Sequence, residues 1–395
     1  MMRHRALWLA LAIIVVLVAT MFLQSGALHA PTAPETNGQP NALSAVVADV
    51  EAGRVTTPLV GDQPRRGMPT VTFLAKRAGQ DAPRIVSDAT GWGERADGSF
   101  NFNVGKMTRI DQSEWYALEV KVEPYARVEY LIVYGGSEYR VDPHNPRQVQ
   151  RANGNASEFV MPGYVPPQEF VDAPTTPAGG IFDTAVDSRA LKGSRHVIVY
   201  TPPGYDKGTT YPLAVFHDGA LVVNNGQAPR VLDWLITHQA IPPIVAVFVD
   251  PQSRAEDLRR GSPMRTFVTD ELLPWMSERY NVTSNPADRA IIGISAGARG
   301  AIDAVATSTQ FGRVGLLIPA LDMADIESIP PASRRKLRVS ILAGVYDALN
   351  LSAARSAQLE FAEKGHTVQF KDVPEGHSTI TWRNHLRDVL IELFK

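Results

Sequence analysis

The sequence predicts a mostly parallel α/β sheet covered on both faces by helices, preceded by a small all-β sandwich. Three observations carry this. From about residue 182 to the end, near-continuous apolar runs alternate with helix-forming stretches. Upstream, residues 67–165 hold short β-branched and aromatic runs broken by Gly, Asp, Asn and Pro. A proline-rich linker, 166–181, separates the two rhythms. Of the 395 residues, 44% are hydrophobic and 20% charged, which is core material for more than one domain.

At the N-terminus, Arg3 and Arg5 precede an uncharged apolar run, 6–23, and small residues near Ala27 and Ala30 follow it. Residues 1–30 therefore read as an export signal, either cleaved or kept as a membrane anchor. Both readings put the bulk of the chain outside the cytoplasm, in the periplasm or secreted. Residues 31–66, rich in Pro, Ala, Thr, Asn and Gly, read as a flexible tether. In the sandwich, strands are predicted at 71–76, 84–88, 114–122 and 128–136, and VDPHNP (141–146) closes it with turn residues. Trp92 and Trp115 read as core residues or as a stacking platform. In the α/β part, strands are predicted at 196–200, 212–219, 244–250, 289–295, 314–319, 338–344 and 367–373. Helices are predicted at 228–238, 266–280, 296–308, 351–364 and 380–394. Sites in such sheets form at the C-terminal ends of strands.

A net charge of −2 with scattered Lys and Arg points away from nucleic acid. The absence of cysteine excludes disulfides and thiolate chemistry. The histidines, His144 among them, lack metal-ligand spacing, so neither metal nor cofactor is predicted. Arg259, Arg260 and Arg265 read as solvated loop charge or as a patch for an anionic substrate. The oligomeric state is not legible.

Chemistry concentrates around RAIIGISAGARGA (289–301). Gly293-Ile294-Ser295-Ala296-Gly297 follows an apolar strand and opens a helix, the context a nucleophile elbow requires. Gly293 and Gly297 let strand and helix approach closely, and the hydroxyl sits at a helix N-terminus, which favours developing negative charge. A serine nucleophile needs a base. His366 lies at the wrong end of the sheet and His385 inside the last helix. His377, in DVPEGHST, lies just past the last strand. The acid should follow a strand between the two, and Asp347, after SILAG, does so. Asp303, Asp322, Asp325, Asp372 and Glu375 are less well placed. The order Ser295, Asp347, His377 is that of the α/β-hydrolase fold. The Ala296 N–H supplies one oxyanion donor, and Gly219 or Ala220, after the strand ending in His217-Asp218, supplies the other. His217 and Asp218 read as loop anchors.

YTPPGYDKGTTYPLAVFHDG, FVTDELLPWMSERYNV, DRAIIGISAGARGA and GHTVQFKDVPEGHSTITWRNHL together resemble the esterase family of α/β-hydrolases. That family includes enterochelin esterases, feruloyl and acetyl-xylan esterases, and mycolyltransferases. The Gly-His followed by Trp382-Arg383 is a specific part of the likeness. PTVTFLAK, EWYALEV and YRVDPHNP resemble the immunoglobulin-like early-set domain that precedes the hydrolase in enterochelin esterases, so the resemblance covers roughly 68–395. It implies a serine ester hydrolase acting on siderophore lactones or on hydroxycinnamoyl- or acetyl-glycan esters. Two departures, AEDLRRGSPMRTF and IPALDMADIES, border the pocket, where family likeness does not carry the substrate over. An acyltransferase of the same fold and a non-catalytic hydrolase-like binding protein are the alternatives.

Overall fold

The structure, a computed structural model, describes residues 40–61, 67–94, 99–101, 103–151 and 154–395. The export or anchor segment 1–30 and the first part of the tether lie outside the described residues. Among the described residues, no helix is long and apolar enough to cross a membrane. The described part of the tether carries a helix, Pro40–Glu51, with Val47 and Val50 buried on one face. Its loop-like composition hides this i, i+3 pair. The helix is tied down where Glu51 accepts the Trp115 indole N–H at 3.0 Å.

The all-β region holds β1 (Leu59–Val60), β2 (Thr70–Lys76), β3 (Arg84–Ser87), β4 (Thr108–Arg109), β5 (Trp115–Lys121), β6 (Arg127–Tyr134), β7 (Glu138–Arg140), β8 (Gln148–Arg151) and β9 (Gly154–Val160). They form one sheet of order β1-β2-β5-β4 and another of order β3-β6-β9-β8, with β7 added to β6. All pairings are antiparallel. The sheets meet over an apolar core in which Phe73 packs edge-on to Tyr130 and Phe159, at 4.9 and 5.7 Å between ring centres. Strands β7 to β9 are absent from the sequence prediction because EYR, QVQR and GNASEFV carry too little apolar alternation. Trp115 is a core residue. Trp92 is neither core nor open platform. Its backbone is left-handed (φ 55), the Arg151 guanidinium stacks on its ring at 3.9 Å, and its indole donates to Asp88.

The second sheet holds β10 (Gly180–Ser188), β11 (Gly193–Thr201), β12 (Leu213–His217), β13 (Val245–Val249), β14 (Arg289–Ile294), β15 (Arg313–Leu317), β16 (Arg338–Gly344) and β17 (Thr367–Val373). Their order is β10-β11-β13-β12-β14-β15-β16-β17. β10, β11 and β13 pair antiparallel and the remaining pairs are parallel. All seven strands predicted here are present. β10 is an addition at the edge, and its mostly exposed residues explain why GIFDTAVDS lacks a strand signal. Central strands bury both faces: Leu213 and Val215 enter one core, Ala214 and Phe216 the other. That is why they read as continuous apolar runs. Helices Gly297–Thr307 and Leu351–Glu363 cover the first core, and Ala228–Thr237 and Thr379–Phe394 the second. This is the α/β-hydrolase arrangement.

Candidate active site

Ser295 follows β14 directly and has a left-handed backbone, φ 53. For a non-glycine residue that conformation costs on the order of 1–3 kcal/mol and persists only where neighbours enforce it. Ser295 N–H donates to Leu317 O at 2.9 Å, and Ser295 O accepts from Ala298 and Ala320, each at 3.1 Å. A Cβ on Gly293 would overlap the backbone of Gly297, so strand and helix touch where glycine alone fits. Two neighbouring strand ends are also left-handed, Asp218 after β12 (φ 62) and Ile318 after β15 (φ 41). Strain is therefore gathered at one edge of the sheet.

The three residues singled out in the sequence come together here. Ser295 Oγ lies 2.9 Å from His377 Nε2, and His377 Nδ1 lies 2.6 Å from Asp347 Oδ2. Asp347 is buried, while the His377 side chain is 35% exposed and open to exchange a proton with substrate or water. Asn350, which the sequence reading missed, donates to Asp347 Oδ1 from its side chain at 2.8 Å and from its backbone at 3.3 Å. Its position three residues past the acid, at the start of a helix, was the available signal. It leaves Oδ2 for the histidine. The other acids are occupied elsewhere. Asp303 accepts from Gly261 N–H, Asp322 and Asp325 cap a short helix and bind Arg299, and Asp372 pairs with Arg355. Glu375 pairs with His385 at 2.8 Å. His366 is fixed between Leu337 N–H and Pro330 O.

Ala296 N–H stands at the start of the helix Gly297–Thr307, where no intrahelical acceptor exists. On the opposite loop the candidates part. Ala220 N–H donates to Asp250 Oδ1 at 2.6 Å, and Asp250 in turn holds His196 Nδ1 at 2.5 Å. Ala220 N–H is therefore engaged, which leaves Gly219 as the candidate on this loop. Asp218 anchors the loop through a two-point ion pair with Arg254, at 2.6 and 2.8 Å. His217 is buried against Gly300, burial lowers its pKa, and among the described residues neither ring nitrogen has a hydrogen-bond partner. Of the three arginines, Arg259 pairs with Glu256 and Arg265 lies 4.0 Å from Asp303, which favours ordinary loop charge over an anion patch.

A buried polar cluster lies under the histidine loop. Arg127 of β6, 1% exposed, pairs with Glu129 at 2.6 Å, Glu158 at 2.8 Å and Glu375 at 3.6 Å. Burial opposes its charge, but these carboxylates outweigh it and raise its pKa. Asp88, wholly buried, is pushed up to about 7 by desolvation and then by Glu129, against the N–H groups of Glu129 and Trp92. Apart from Glu375, weighed as an acid, nothing in the sequence marked these residues.

Residues 188–393, just over half of the chain, match the Esterase family model (Putative esterase). A curated relative, the iron(III) enterobactin esterase of Escherichia coli O6:H1, is 26% identical over 276 residues, covering 64% of this chain and 67% of that protein. The fold is similar to that of the ferric enterobactin esterase of Salmonella typhimurium, with a TM-score of 0.68, 20% identity and coverage of 86% of this chain and 96% of that one. It is also similar to the enterobactin esterase of Shigella flexneri determined in the presence of enterobactin, with a TM-score of 0.66 at 20% identity.

Proposed function

We propose that this chain, which belongs to the Esterase family and is a carboxylic ester hydrolase, cleaves its ester through a Ser295–His377–Asp347 triad. The observation that carries the reading is the continuous pair of contacts, 2.9 Å from Ser295 Oγ to His377 Nε2 and 2.6 Å from His377 Nδ1 to Asp347 Oδ2, on a strained elbow. Ser295 Oγ attacks the ester carbonyl carbon while His377 Nε2 takes its proton. Asp347 holds the tautomer that leaves Nε2 free to accept and stabilises the imidazolium. The tetrahedral oxyanion is held by the N–H groups of Ala296 and Gly219. One such donor is worth roughly 3–4 kcal/mol of barrier. Collapse breaks the ester C–O bond and His377 protonates the departing alcohol. Water, deprotonated by His377, then releases the acid from Ser295.

The named relatives favour a siderophore lactone as the substrate. We read residues 1–30 as directing the enzyme out of the cytoplasm and the sandwich as the immunoglobulin-like domain of such esterases. The test compares residues 31–395 with the Ser295→Ala variant on p-nitrophenyl butyrate, methyl ferulate and a catecholate siderophore lactone. The lactone is expected to be the preferred ester, with all turnover lost in the variant. Preference for methyl ferulate would replace the lactone by a plant-wall glycan ester. Full activity in the variant would remove the triad.

A further inference from the structure

The histidine and the acid stand on loops that the sandwich grips directly. His377 follows β17, the last strand of the sheet, so among the described residues no further strand of this sheet flanks it. Its loop is held instead from β6. Arg127 N–H donates to Pro374 O at 3.2 Å, its guanidinium reaches Glu375 at 3.6 Å, and Nη1 donates to Ser378 Oγ at 3.4 Å. These contacts fall on both sides of His377. Asp88 lies so close to Gly376 that a Cβ there would overlap its carboxylate. The acid loop is held in the same way. The Tyr346 hydroxyl donates to the Glu123 carboxylate and accepts Glu123 N–H at 3.2 Å. A Cβ at Gly91 would sit 3.1 Å from Ala348 Cβ. Tyr346 N–H donates to Glu375 O at 3.0 Å and so links the two loops.

Resting on the triad reading, we propose that the β-sandwich is a positioning element of the catalytic centre: Arg127 sets the His377 loop and Glu123, through Tyr346, sets the Asp347 loop. A misplacement of about 1 Å in a general base can cost about 100-fold in rate, and catalytic groups must be held to within about 0.5 Å. Arg127 has two carboxylate partners in its own domain, so Glu375 is not needed merely to neutralise it. The third contact, together with Ser378 and Pro374, fixes where the loop lies. Simple glue between domains would need none of this convergence on residues adjoining His377 and Asp347.

The test separates positioning from glue by counting competent sites. Full-length chain and the variants Tyr346→Phe, Glu375→Gln, Arg127→Met and Arg127→Lys are titrated with a p-nitrophenyl alkylphosphonate. Ser295 Oγ would bond to phosphorus as p-nitrophenolate leaves. The turnover of p-nitrophenyl butyrate is then expressed per titrated site. Tyr346→Phe and Glu375→Gln are expected to lose about 10-fold in kcat per site with KM within about twofold, and Arg127→Met more, with partial rescue in Arg127→Lys. If Tyr346→Phe and Glu375→Gln keep the parent's kcat per site within twofold, the sandwich is glue and the inference fails, whatever their thermal stability. These two variants decide the matter even if Arg127→Met does not fold. A parent that turns over ester while Ser295 takes no label would overturn the triad reading itself, a result distinct from parent-like variants on a labelled serine.

Discussion

Ser295 stands on a turn that its own sequence neighbours build, whereas His377 stands on a loop gripped from the all-β region. The elbow uses Gly293, Gly297 and two strand-end hydrogen bonds, all close in chain or sheet. The histidine loop depends on Arg127, 251 residues before Ser378. The place of Ser295 is thus a product of local geometry and that of His377 a product of tertiary packing. Damage to the elbow should strike chemistry and fold at once. Damage to the brace should strike chemistry more gently.

The largest effect is expected at the elbow. Ser295→Ala should lower kcat on p-nitrophenyl butyrate by on the order of 10^4-fold or more, the scale seen when a triad serine is removed. Asp347→Asn comes next, at on the order of 10^3- to 10^4-fold, because an amide facing His377 Nδ1 favours the wrong tautomer. Steady-state kinetics with near-wild-type circular dichroism would check both, and a loss below tenfold in Asp347→Asn would break the assignment of the acid. Gly293→Ala forces a Cβ into the Gly297 backbone. Overpacking there should remove about 3 kcal/mol of stability. Urea denaturation reads this directly, and a variant as stable as the parent would show that the elbow is looser than its contacts imply.

A further effect concerns the brace. Desolvation and Glu129 raise Asp88 from 3.8 to about 7. The folded chain therefore holds a proton that the unfolded chain releases across that window. The sign follows: this group favours the fold at pH below 3.8, and the contribution is lost as pH rises toward 7. Between pH 4 and 8 the Asp88→Asn variant should lose less stability than the parent. Parallel stability curves for the two proteins would show that Asp88 does not titrate in this range.

The same division explains what was legible in the sequence. The elbow, seven of the eight strands of the second sheet and the order of Ser295, Asp347 and His377 follow from spacing and apolar runs, which are local signals. β10 escaped because an exposed edge strand has no buried face to mark it, and the helix Pro40–Glu51 because two valines were masked by loop-like neighbours. Ala220 was a fair oxyanion candidate by position, but only the fold brings Asp250 onto its N–H. Arg127, Glu123 and Asp88 had no signal at all. A buried charge reads as a surface charge until its partners, far away in the chain, arrive.

The most direct measurement is mass spectrometry of the chain after reaction with a p-nitrophenyl alkylphosphonate, followed by peptide mapping. The account predicts one phosphonyl group per chain, located on Ser295, and almost none at the same reaction time in His377→Ala. A stoichiometric label on another residue, or no label in a preparation that hydrolyses esters, would contradict it.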